Sequence, residues 1–444
     1  IDITGISYNS KTTKKGDIFV CLVGEHTDGH EFAQDAINSG AAALLVERKV
    51  EGTKIPQVVV SSTRHKIADI ADRFYSCPSK GINLIGVTGT NGKTTVTHLI
   101  QKIFEENNQK CALIGTLGYK LSSNGEYRDA KHTTPQAPEL QATLRMIKDV
   151  EKIDNVVMEV SSHALDQNRV GGCRFNGAVF TNLTQDHLDY HITMDNYFKA
   201  KALLFQSLEA PLEDAEEIPE EKTAFAVINA DDEYGDRFIS VVPKGVRVFT
   251  YGVRQQSDVM AKDINFSLSG AEFTLVTGDH VNNGGKLEHK VNLHMNGMFS
   301  VYNVLAAVTS ALAMGIDIEV ALKALQNVKG VAGGDRDATK RPKMGAIAEK
   351  LADKIVITSD NPRSEDPQVI ITDIIAGLKS VNTENVIVEP DRGTAIALLK
   401  TIANNNDVVL IAGKGHENYQ ILKDKTIHFD DREEAHKVFE GSVI

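Results

Sequence analysis

A glycine-rich loop between an apolar strand and a helix constrains the fold of this chain more than any other part of its sequence. The apolar run at 83–87 predicts a buried strand, and residues 94–107 predict a helix directly after the loop. Glycines in such a loop let backbone N–H groups approach phosphate oxygens without a side-chain clash. The sequence therefore predicts a nucleotide-phosphate loop that consists of Gly89, Thr90, Asn91, Gly92, Lys93, Thr94 and Thr95.

The loop is shorter than the full G-x-x-x-x-G-K-[ST] pattern, because Val87 stands where the first glycine would be. A solvated lysine in an ordinary glycine-rich turn is the alternative interpretation. The succession of strand, loop, Lys93, Thr94 and helix favours phosphate binding. In that interpretation the lysine faces the outer phosphates and the Thr94 hydroxyl binds Mg²⁺.

Bulk properties exclude several classes of protein. The chain has 444 residues, a length typical of about three domains. Its formal net charge of −12 argues against binding to nucleic acid or to an anionic membrane. No apolar run approaches the roughly 18 residues of a membrane-spanning helix, and the first residues do not resemble a signal peptide. The four cysteines form no C-x-x-C pair, so we expect a cytoplasmic protein with free thiols.

The chain divides into three predicted units. Residues 1–81 end in a turn-rich linker at 77–81, residues 82–330 follow, and residues 331–444 form the third unit. The first unit has predicted strands at 18–22, 42–46 and 58–60 and a helix at 30–39. The second has strands at 83–87, 112–115, 155–160, 177–181, 224–228 and 247–250, an antiparallel stretch at 258–295 and a surface loop at 209–222.

The third unit alternates in the same way as the second. Its predicted helices lie at 343–351, after 366–367 and at 392–403, and its strands at 354–358, 385–388 and 407–412. Strands that alternate with helices indicate mostly parallel sheets covered on both faces. We therefore expect an α/β protein with a small first domain, a central phosphate-loop ATPase-like domain and a doubly wound, Rossmann-like third domain.

Two polar groups in the second unit follow apolar strands. Glu159 is the one carboxylate in the apolar run 156–160, and a strand-end acid beside a phosphate loop is placed to bind Mg²⁺. A structural Glu–Lys pair is the alternative. His187 and His191 have a helical i, i+4 spacing that would suit zinc, but no H-E-x-x-H and no third soft ligand accompany them. We interpret His187 as a Mg²⁺ or phosphate-site residue and leave the role of His191 open.

Motifs over almost the whole chain resemble those of the Mur ligase family. In the second unit they are the phosphate loop, Met158-Glu159-Val160-Ser161-Ser162-His163, the segment 182–191 and Ala200-Lys201. In the first unit they are Asn9-Ser10-Lys11 and the segments 15–20 and 28–32. In the third unit they are the segments 333–337, 340–342, 360–363 and 413–417.

The resemblance implies an ATP-dependent ligase. ATP would phosphorylate a substrate carboxylate, and the amine of an amino acid would attack the acyl phosphate. Both steps gather anionic oxygens, so cations and backbone donors must already be in place. The resemblance assigns Lys93, His187 and Lys201 to catalysis, and Thr94, Glu159, His187 and a carbamylated Lys201 to Mg²⁺. A lysine on a helix surface is the alternative for Lys201.

The resemblance also assigns the residues that bind ATP and the acceptor substrate, UDP-MurNAc-L-Ala-D-Glu. Asn303 would lie on the adenine side of ATP. Family members usually have D-S-R where this chain has Asn9-Ser10-Lys11, so only the serine of that motif is assigned. The residues assigned to the uridine end of the acceptor are Ser10, Glu25, His26 and Thr27, with Tyr8 next to them. Those assigned to its muramoyl dipeptide are His132, Thr133, Thr134, Ser161, Gln167 and Arg169.

The choice of amino acid rests on the motif at 360–363. A guanidinium can hold a carboxylate through two hydrogen bonds, and meso-diaminopimelate has a distal carboxylate that L-lysine lacks. Arg363 therefore resembles the residue of the diaminopimelate-adding members, although an ion pair with Glu365 or Asp366 would be a structural alternative. The assigned pocket consists of Arg336, Asp360, Asn361, Pro362, Arg363, Gly413 and Glu417.

The chain departs from the family where the third unit begins. Residues 328–332 run straight into Gly333-Gly334-Asp335, whereas family members have a G-R-[FM]-E segment, D-Y-A-H-T-P, a helix and another strand here. Our hypothesis is that the sequence joins two stretches of a longer chain and lacks the start of the third domain. A true deletion would instead put activity in doubt.

Other functions fit the sequence less well. Arg363 argues against an L-lysine-adding ligase of the same family. A folylpolyglutamate-synthase-like ligase would not need the first unit. A phosphate-loop GTPase or nucleotide-binding regulator would carry N-K-x-D, which is absent from the sequence. A binding module without catalysis would not need so many polar residues at strand ends. We expect a monomer that uses ATP and Mg²⁺, acts on small molecules, and closes its domains around them.

Overall fold

The computed structural model of the protein divides into two compact units, residues 1–329 and residues 330–444. Both units combine helices with parallel strands, which confirms the predicted α/β class. The division into three domains stays a prediction. The structure describes residues 1–24, 27–128, 133–209, 223–267, 270–278, 281, 285–295, 297–326, 341–360, 366–379, 385–404, 407–413, 419–422 and 425–439.

The first sheet contains four parallel strands in the order β1-β2-β3-β4. Phe19 and Leu44 pack towards one covering helix, whereas Val20 and Leu45 pack with Ile67 of the other. Both faces of the two central strands are therefore buried, which explains the apolar runs Ile18-Phe19-Val20 and Ala43-Leu44-Leu45-Val46. The strands are β1 (Gly5–Ser7), β2 (Asp17–Val20), β3 (Ala43–Val46) and β4 (Gln57–Val59), and the helices are α1 (Ala33–Asn38) and α2 (Thr63–Phe74).

The second sheet has ten strands in the order β14-β13-β12-β11-β10-β9-β5-β8-β6-β7. Its central strands are parallel. At one edge β13 pairs antiparallel with β12 and β14, as predicted for 258–295. At the other edge β7 pairs antiparallel with β6. The strands are β5 (Asn83–Thr88), β6 (Cys111–Gly115), β7 (Gly118–Lys120), β8 (Asn155–Glu159), β9 (Gly177–Phe180), β10 (Phe225–Asn229), β11 (Arg247–Gly252), β12 (Val259–Ser267), β13 (Gly270–Thr277) and β14 (Leu287–Leu293).

Helices cover this sheet. Two of them, α5 and α6, are short and lie in the loops at the carboxyl ends of β8 and β9. None of the helices in the described ranges combines the length and apolar character needed to cross a bilayer. The helices are α3 (Lys93–Glu106), α4 (Ala137–Asp149), α5 (Ser162–Asp166), α6 (Leu188–His191), α7 (Met194–Gln206), α8 (Gly235–Val241), α9 (Met298–Ala313) and α10 (Ile318–Leu325).

The topology selects one place for a ligand. Strand β5 lies between β8 and β9, and all three are parallel. The chain crosses over in opposite directions on either side of β5, so the loops beyond its carboxyl end leave a crevice, where open α/β sheets bind ligands. The predicted phosphate loop is the connection between β5 and α3, and Glu159 is the last residue of β8.

The second compact unit contains a parallel pair of strands, an antiparallel hairpin and four helices within its described residues. Arg392 ties these elements together, because its buried guanidinium donates to both carboxylate oxygens of Asp431 at 2.7 and 2.6 Å. The elements are α11 (Arg341–Leu351), β15 (Ile355–Ile357), α12 (Pro367–Ile375), β16 (Val386–Val388), α13 (Arg392–Ile402), β17 (Tyr419–Leu422), β18 (Lys425–His428) and α14 (Asp431–Phe439).

The predicted strand at 407–412 is wrong, because the structure forms no strand there. The apolar run Val408-Val409-Leu410 favours a strand by composition, but a strand also needs a neighbour for its backbone hydrogen bonds. Within the described residues, β15 pairs only with β16. Val408 and Leu410 are consequently 90% and 85% exposed. The predicted surface loop at 209–222, apart from its first residue, and the junction at 328–335 lie outside the described residues.

We expect the substitution Ile192→Gly to stabilise the protein. Ile192 follows α6 with φ 68° and ψ −45°, and its side chain is 75% exposed. A β-branched residue in this region is strained by roughly 1–3 kcal/mol, whereas glycine loses about 0.5–1 kcal/mol through backbone entropy. The free energy of unfolding, measured by urea denaturation, should therefore rise by about 1 kcal/mol.

Val150 provides a control for this prediction. It is an exposed apolar residue at the end of α4, but its φ is −94°. Val150→Gly should lower the free energy of unfolding, because glycine relieves no strain at a negative φ. Equal destabilisation by both substitutions would show that the backbone at Ile192 is not strained.

Candidate active site

The phosphate loop requires glycine at two positions. Gly89 and Gly92 have φ values of 147° and 87°, which L-residues with side chains rarely adopt. A Cβ atom on Gly89 would collide with the Thr181 hydroxyl, and one on Gly92 would collide with the side-chain oxygen of Asn303. The loop is thus held closely between the end of β9 and the first turns of α9. The predicted adenine-side residue, Asn303, lies directly beside it.

Two lysines converge on the first carbonyl of this loop. Lys93 Nζ donates to the carbonyl oxygens of Gly89 and Thr90, both at 3.0 Å, and Lys201 Nζ donates to the Gly89 carbonyl at 2.9 Å. Lys201 comes from α7, is only 1% exposed, and lies 4.6 Å from the ring centroid of Tyr197. It is therefore part of the loop's surroundings and not a helix-surface lysine.

Burial lowers the pKa of Lys201 well below its ordinary value, and the nearby charge of Lys93 lowers it further. Asp186 acts in the opposite direction but with a smaller effect. A lowered pKa increases the neutral fraction of this amine. A neutral amine is nucleophilic, which is the state that reaction with CO₂ requires.

Glu159 is buried at the end of β8 and organises the opposite side of the loop. Its carboxylate accepts hydrogen bonds from the Thr94 hydroxyl at 3.0 Å, the Thr116 hydroxyl at 3.0 Å and the Thr116 N–H at 3.1 Å. A Cβ atom on Gly115 would collide with this carboxylate. The predicted pair of Thr94 and Glu159 therefore lies together. Thr116, at the end of β6, was not identified from the sequence, although its position after a strand was an available signal.

A cluster of aromatic rings adjoins the loop. The ring of His163 lies 4.9 Å from that of His187 and 5.4 Å from that of His191, between ring centroids. His187 has a left-handed backbone with φ 51° directly before α6, and its ring is 6.1 Å from Tyr197, which contacts Lys201. His191 is buried, and its Nε2 is 2.9 Å from the Ser162 hydroxyl. These contacts support a structural role for His191.

Acid should destabilise the protein through His191. Burial, aided by the charge of neighbouring His163, lowers the pKa of His191 from 6.5 to about 4. Between these two values the unfolded chain binds a proton that the folded chain does not, so the free energy of unfolding falls as the pH decreases through this window. His191→Gln should remove this contribution. Urea denaturation at several pH values measures the difference in free energy of unfolding between wild type and variant. This difference should become smaller from pH 6.5 to pH 4, and a constant difference would contradict the prediction.

The predicted dipeptide-binding residues form one hydrogen-bonded group beside Glu159. Thr134 Oγ1 donates to the Glu159 carbonyl at 2.9 Å and accepts from the Ser161 N–H at 3.2 Å. Arg169 donates to the Thr134 carbonyl at 3.1 Å and to the side-chain oxygen of Gln167. The Thr133 hydroxyl lies 3.3 Å from that of Thr116, to which it can donate. The structure thus brings Thr133, Thr134, Ser161, Gln167 and Arg169 together, whereas His132 lies outside the described residues.

The predicted uridine-side residues lie on the first sheet. Tyr8 Oη donates to Glu139 of α4 at 2.5 Å, so it connects the first sheet to the central one. The Ser10 carbonyl accepts from the Ser39 hydroxyl, and the Thr27 carbonyl accepts from the Gly24 N–H. Glu25 and His26 are outside the described residues. Small residues let α2 and α4 approach each other closely: Ala68, Ala71 and Ala137.

The amino-acid pocket predicted in the second compact unit is described only in part. Gly413 has φ 124°, and a Cβ atom added to it would lie 3.3 Å from a carboxylate oxygen of Asp360. These two residues of the predicted pocket are therefore neighbours. The other predicted members lie outside the described residues: Arg336, Asn361, Pro362, Arg363 and Glu417.

A cavity of about 200 Å³ lies next to the phosphate loop. Asp231 shapes one wall, since its carboxylate accepts from the N–H groups of Val253, Arg254 and Gln255 at 2.6 to 2.9 Å and from the Tyr302 hydroxyl at 2.7 Å. Asp231 was not identified from the sequence, because its partners are distant along the chain. Other residues that line the cavity are Gly92, Asn182, Asn229, Phe299 and Asn303.

Three family models match consecutive parts of this chain. They are described as Mur ligase family, catalytic domain, over residues 2–75, as Mur ligase middle domain over 87–311, and as Mur ligase, glutamate ligase domain, over 294–415. The middle-domain match alone spans half of the chain and includes every phosphate-loop and Glu159 contact described above. The chain belongs to the Mur ligase family.

Relatives within the family match the chain along its length. A UDP-N-acetylmuramoyl-L-alanyl-D-glutamate–2,6-diaminopimelate ligase from Syntrophomonas wolfei is 41% identical, with 100% of this chain and 96% of the relative aligned. An enzyme of the same name from Bacillus velezensis is 39% identical over 98% of this chain and 94% of the relative. A solved structure of such a ligase matches with TM-score 0.70 and 30% identity, covering 99% of this chain and 95% of its own.

Other family members share the fold. The MurF ligase from Thermotoga maritima, solved in complex with ADP, matches with TM-score 0.55 and 17% identity, covering 99% of this Mur ligase chain and 97% of its own. The alignment with the Syntrophomonas wolfei enzyme extends over 490 positions, 46 more than the 444 residues present here. At least 46 positions therefore have no residue in this chain. This surplus supports the hypothesis of a missing stretch, and its location at 330–333 stays a prediction.

Proposed function

We propose that this Mur ligase joins meso-diaminopimelate to UDP-MurNAc-L-Ala-D-Glu, with ATP, through an acyl phosphate. One observation carries the proposal: the phosphate loop, Lys201 and Glu159 converge directly beside the hydrogen-bonded group from Thr134 to Arg169. A phosphate donor and a carboxylate acceptor bound at these places would meet at Glu159. The proposed setting is cytoplasmic synthesis of peptidoglycan precursors by a monomer.

Each part of the site has a proposed task. The backbone of the loop and Lys93 hold the ATP phosphates, and the cavity beside Asn303 accepts the nucleoside. Lys93 now donates to its own loop carbonyls, so it would exchange these bonds for phosphate oxygens when ATP binds. Thr134, Ser161 and Arg169 position the dipeptide end of the acceptor. Positive charge and backbone donors then stabilise the charge that develops on the transferred phosphoryl group.

The residues of this chain would bind Mg²⁺ only together with further ligands, such as phosphate oxygens. Within the described residues, no three His, Cys, Asp or Glu side chains are grouped closely enough to hold a metal ion. The Thr94 hydroxyl and Glu159 carboxylate, 3.0 Å apart, are two suitable oxygen ligands, and phosphates supply more. Carbamylation of Lys201 would add a carboxylate close to the loop, and His187 would complete the proposed set. Bound Mg²⁺ would neutralise charge on the phosphates and the acceptor oxygen.

Transfer of oxygen tests the proposed reaction class. If the carboxylate of D-Glu attacks the γ-phosphorus of ATP, one carboxylate oxygen leaves with phosphate after the amine attacks. UDP-MurNAc-L-Ala-D-Glu labelled with ¹⁸O in its glutamate carboxylates should therefore yield inorganic phosphate that carries one ¹⁸O atom per amide bond formed. Mass spectrometry of the phosphate measures this. Amide product with unlabelled phosphate would contradict an acyl phosphate.

L-Lysine is the alternative amino acid within the same reaction. The Asp360–Gly413 neighbourhood would serve either amino acid, and the selective residues Arg363 and Glu417 are assigned by resemblance. The names of the relatives favour diaminopimelate. A direct comparison of the two amino acids decides between them.

A further inference from the structure

Two arginines lie on segments that contact each other, α2 beside the first sheet and the residues after α5 beside the central sheet. Arg64 lies in the first turn of α2, and one of its terminal nitrogens donates to the Val23 carbonyl at 2.8 Å. Arg169 follows α5, where it donates to Thr134 and Gln167. A direct hydrogen bond joins the two segments, because Asn168 Nδ2 donates to the His65 carbonyl at 3.3 Å. The residues next to each arginine are thus in contact.

Within the described residues, no carboxylate balances the charge of these two neighbouring arginines. Both side chains are partly buried, and neither forms an ion pair with an acidic residue in the described parts of the chain. Burial, and after it the charge of Arg64, lowers the pKa of Arg169. Like charges held together at a partly buried place cost free energy, and a bound anion would remove that cost. The pair therefore has the character of an anion site.

The position of the pair along the proposed substrate identifies the anion. The Val23 carbonyl that holds Arg64 precedes, two positions along the sequence, residues 25–27, which are assigned to the uridine end. Arg169, in contrast, belongs to the group beside Glu159, which is assigned to the dipeptide end. In UDP-MurNAc-L-Ala-D-Glu the diphosphate is joined directly to uridine and lies between it and the sugar-dipeptide. An arginine between the uridine loop and the dipeptide group is thus placed at the diphosphate.

We infer that Arg64 is a further substrate-binding residue, which holds the diphosphate of the uridine nucleotide, while Arg169 beside it holds the dipeptide end. The inference rests on the proposed function for the identity of the nucleotide. A guanidinium presents several N–H donors in one plane, so Arg64 can keep its bond to Val23 and still donate to phosphate oxygens. Because Arg64 lies on α2 and Arg169 follows α5, a substrate that contacts both residues would also link α2 to the segment after α5.

Binding of UDP and of uridine to variant proteins tests this inference. Arg64→Gln should weaken UDP binding about 10- to 100-fold in titration calorimetry, as expected for loss of a charged hydrogen bond. Uridine lacks the diphosphate, so its affinity should change less than about twofold if Arg64 contacts only the phosphates. Arg64→Lys should recover part of the UDP affinity, because it restores the charge without the planar fork. Arg73→Gln, an exposed position on the same helix, is the matched control and should bind UDP normally.

The alternative is that Arg64 only braces the loop after β2 through Val23. Loss of that brace would weaken UDP and uridine equally and lower the melting temperature, which would overturn the inference, as would unchanged UDP binding. Steady-state kinetics give an independent reading: Arg64→Gln should raise the KM for the UDP substrate and leave kcat and the KM for ATP nearly unchanged. Calorimetry with UDP needs no turnover. It therefore tests Arg64 even if the wild-type protein fails to form the amide, an outcome that would contradict the proposed function alone.

Discussion

Replacing Lys201 by alanine should reduce turnover about 10³-fold, in line with the loss of a preorganised electrostatic group. The amine is buried and donates to the Gly89 carbonyl of the phosphate loop, and burial and the charge of Lys93 lower its pKa. Reaction of the neutral amine with CO₂ forms a carbamate and releases a proton, so a buried base becomes an anionic oxygen ligand. Alanine can form no carbamate. Steady-state phosphate release measures the loss, and circular dichroism verifies that the variant is folded.

Chemical rescue separates the carbamate from a merely structural lysine. A small carboxylate such as formate or acetate can enter the space left in Lys201→Ala and supply the missing oxygens. We expect it to restore part of the turnover and to have no such effect on wild type. Lys199→Ala is the matched control, since Lys199 lies on the same helix but is exposed and pairs with Asp195. An active Lys201→Ala variant, or an inactive one that no carboxylate rescues, would contradict the carbamate role.

Glu159→Gln should reduce turnover about 10²- to 10³-fold and raise the Mg²⁺ concentration needed for half-maximal activity. Glutamine keeps one oxygen that can accept from the hydroxyls of Thr94 and Thr116, so it retains the contact with the loop and loses only the bond from the Thr116 N–H. What it removes is the negative charge that a magnesium ligand needs. Activity measured over a series of Mg²⁺ concentrations gives both the turnover number and the Mg²⁺ concentration for half-maximal activity.

Glu106→Gln is a suitable control for the loss of one carboxylate. Glu106 ends α3, far along the helix from the phosphate loop, and pairs with Lys323. The substitution Glu106→Gln should leave the Mg²⁺ dependence of activity unchanged. If Glu159→Gln lowers turnover without any shift in the Mg²⁺ dependence, Glu159 organises the two threonines and does not bind the metal.

Local chemistry explains what the sequence could predict. The strands β2, β3 and β5 are continuous apolar runs because both faces of their sheets are covered, and such runs are visible without any tertiary knowledge. The phosphate loop depends on glycines, a lysine and a helix start that are adjacent in sequence. Glu159 was recognisable because a lone acid at the end of a buried strand is unusual.

Contacts between distant segments explain what the sequence could not predict. The burial of Lys201 depends on α7 packing so that its amine reaches Gly89, 112 positions earlier in the chain. Asp231 and Arg64 each have partners from other elements, and no local pattern indicates them. The strand expected at 407–412 shows the opposite error: its composition was right, but a parallel strand forms only where a neighbour is available.

Release of inorganic phosphate from ATP tests the central claim most directly. The protein would be mixed with Mg²⁺, ATP and UDP-MurNAc-L-Ala-D-Glu, and meso-diaminopimelate or L-lysine would be added in parallel. We predict release that depends on the UDP substrate and on diaminopimelate, with little release with lysine, together with one amide product per phosphate. Release with lysine alone would keep the ligase reaction and overturn the assigned role of Arg363. No release with either amino acid would contradict the proposed function.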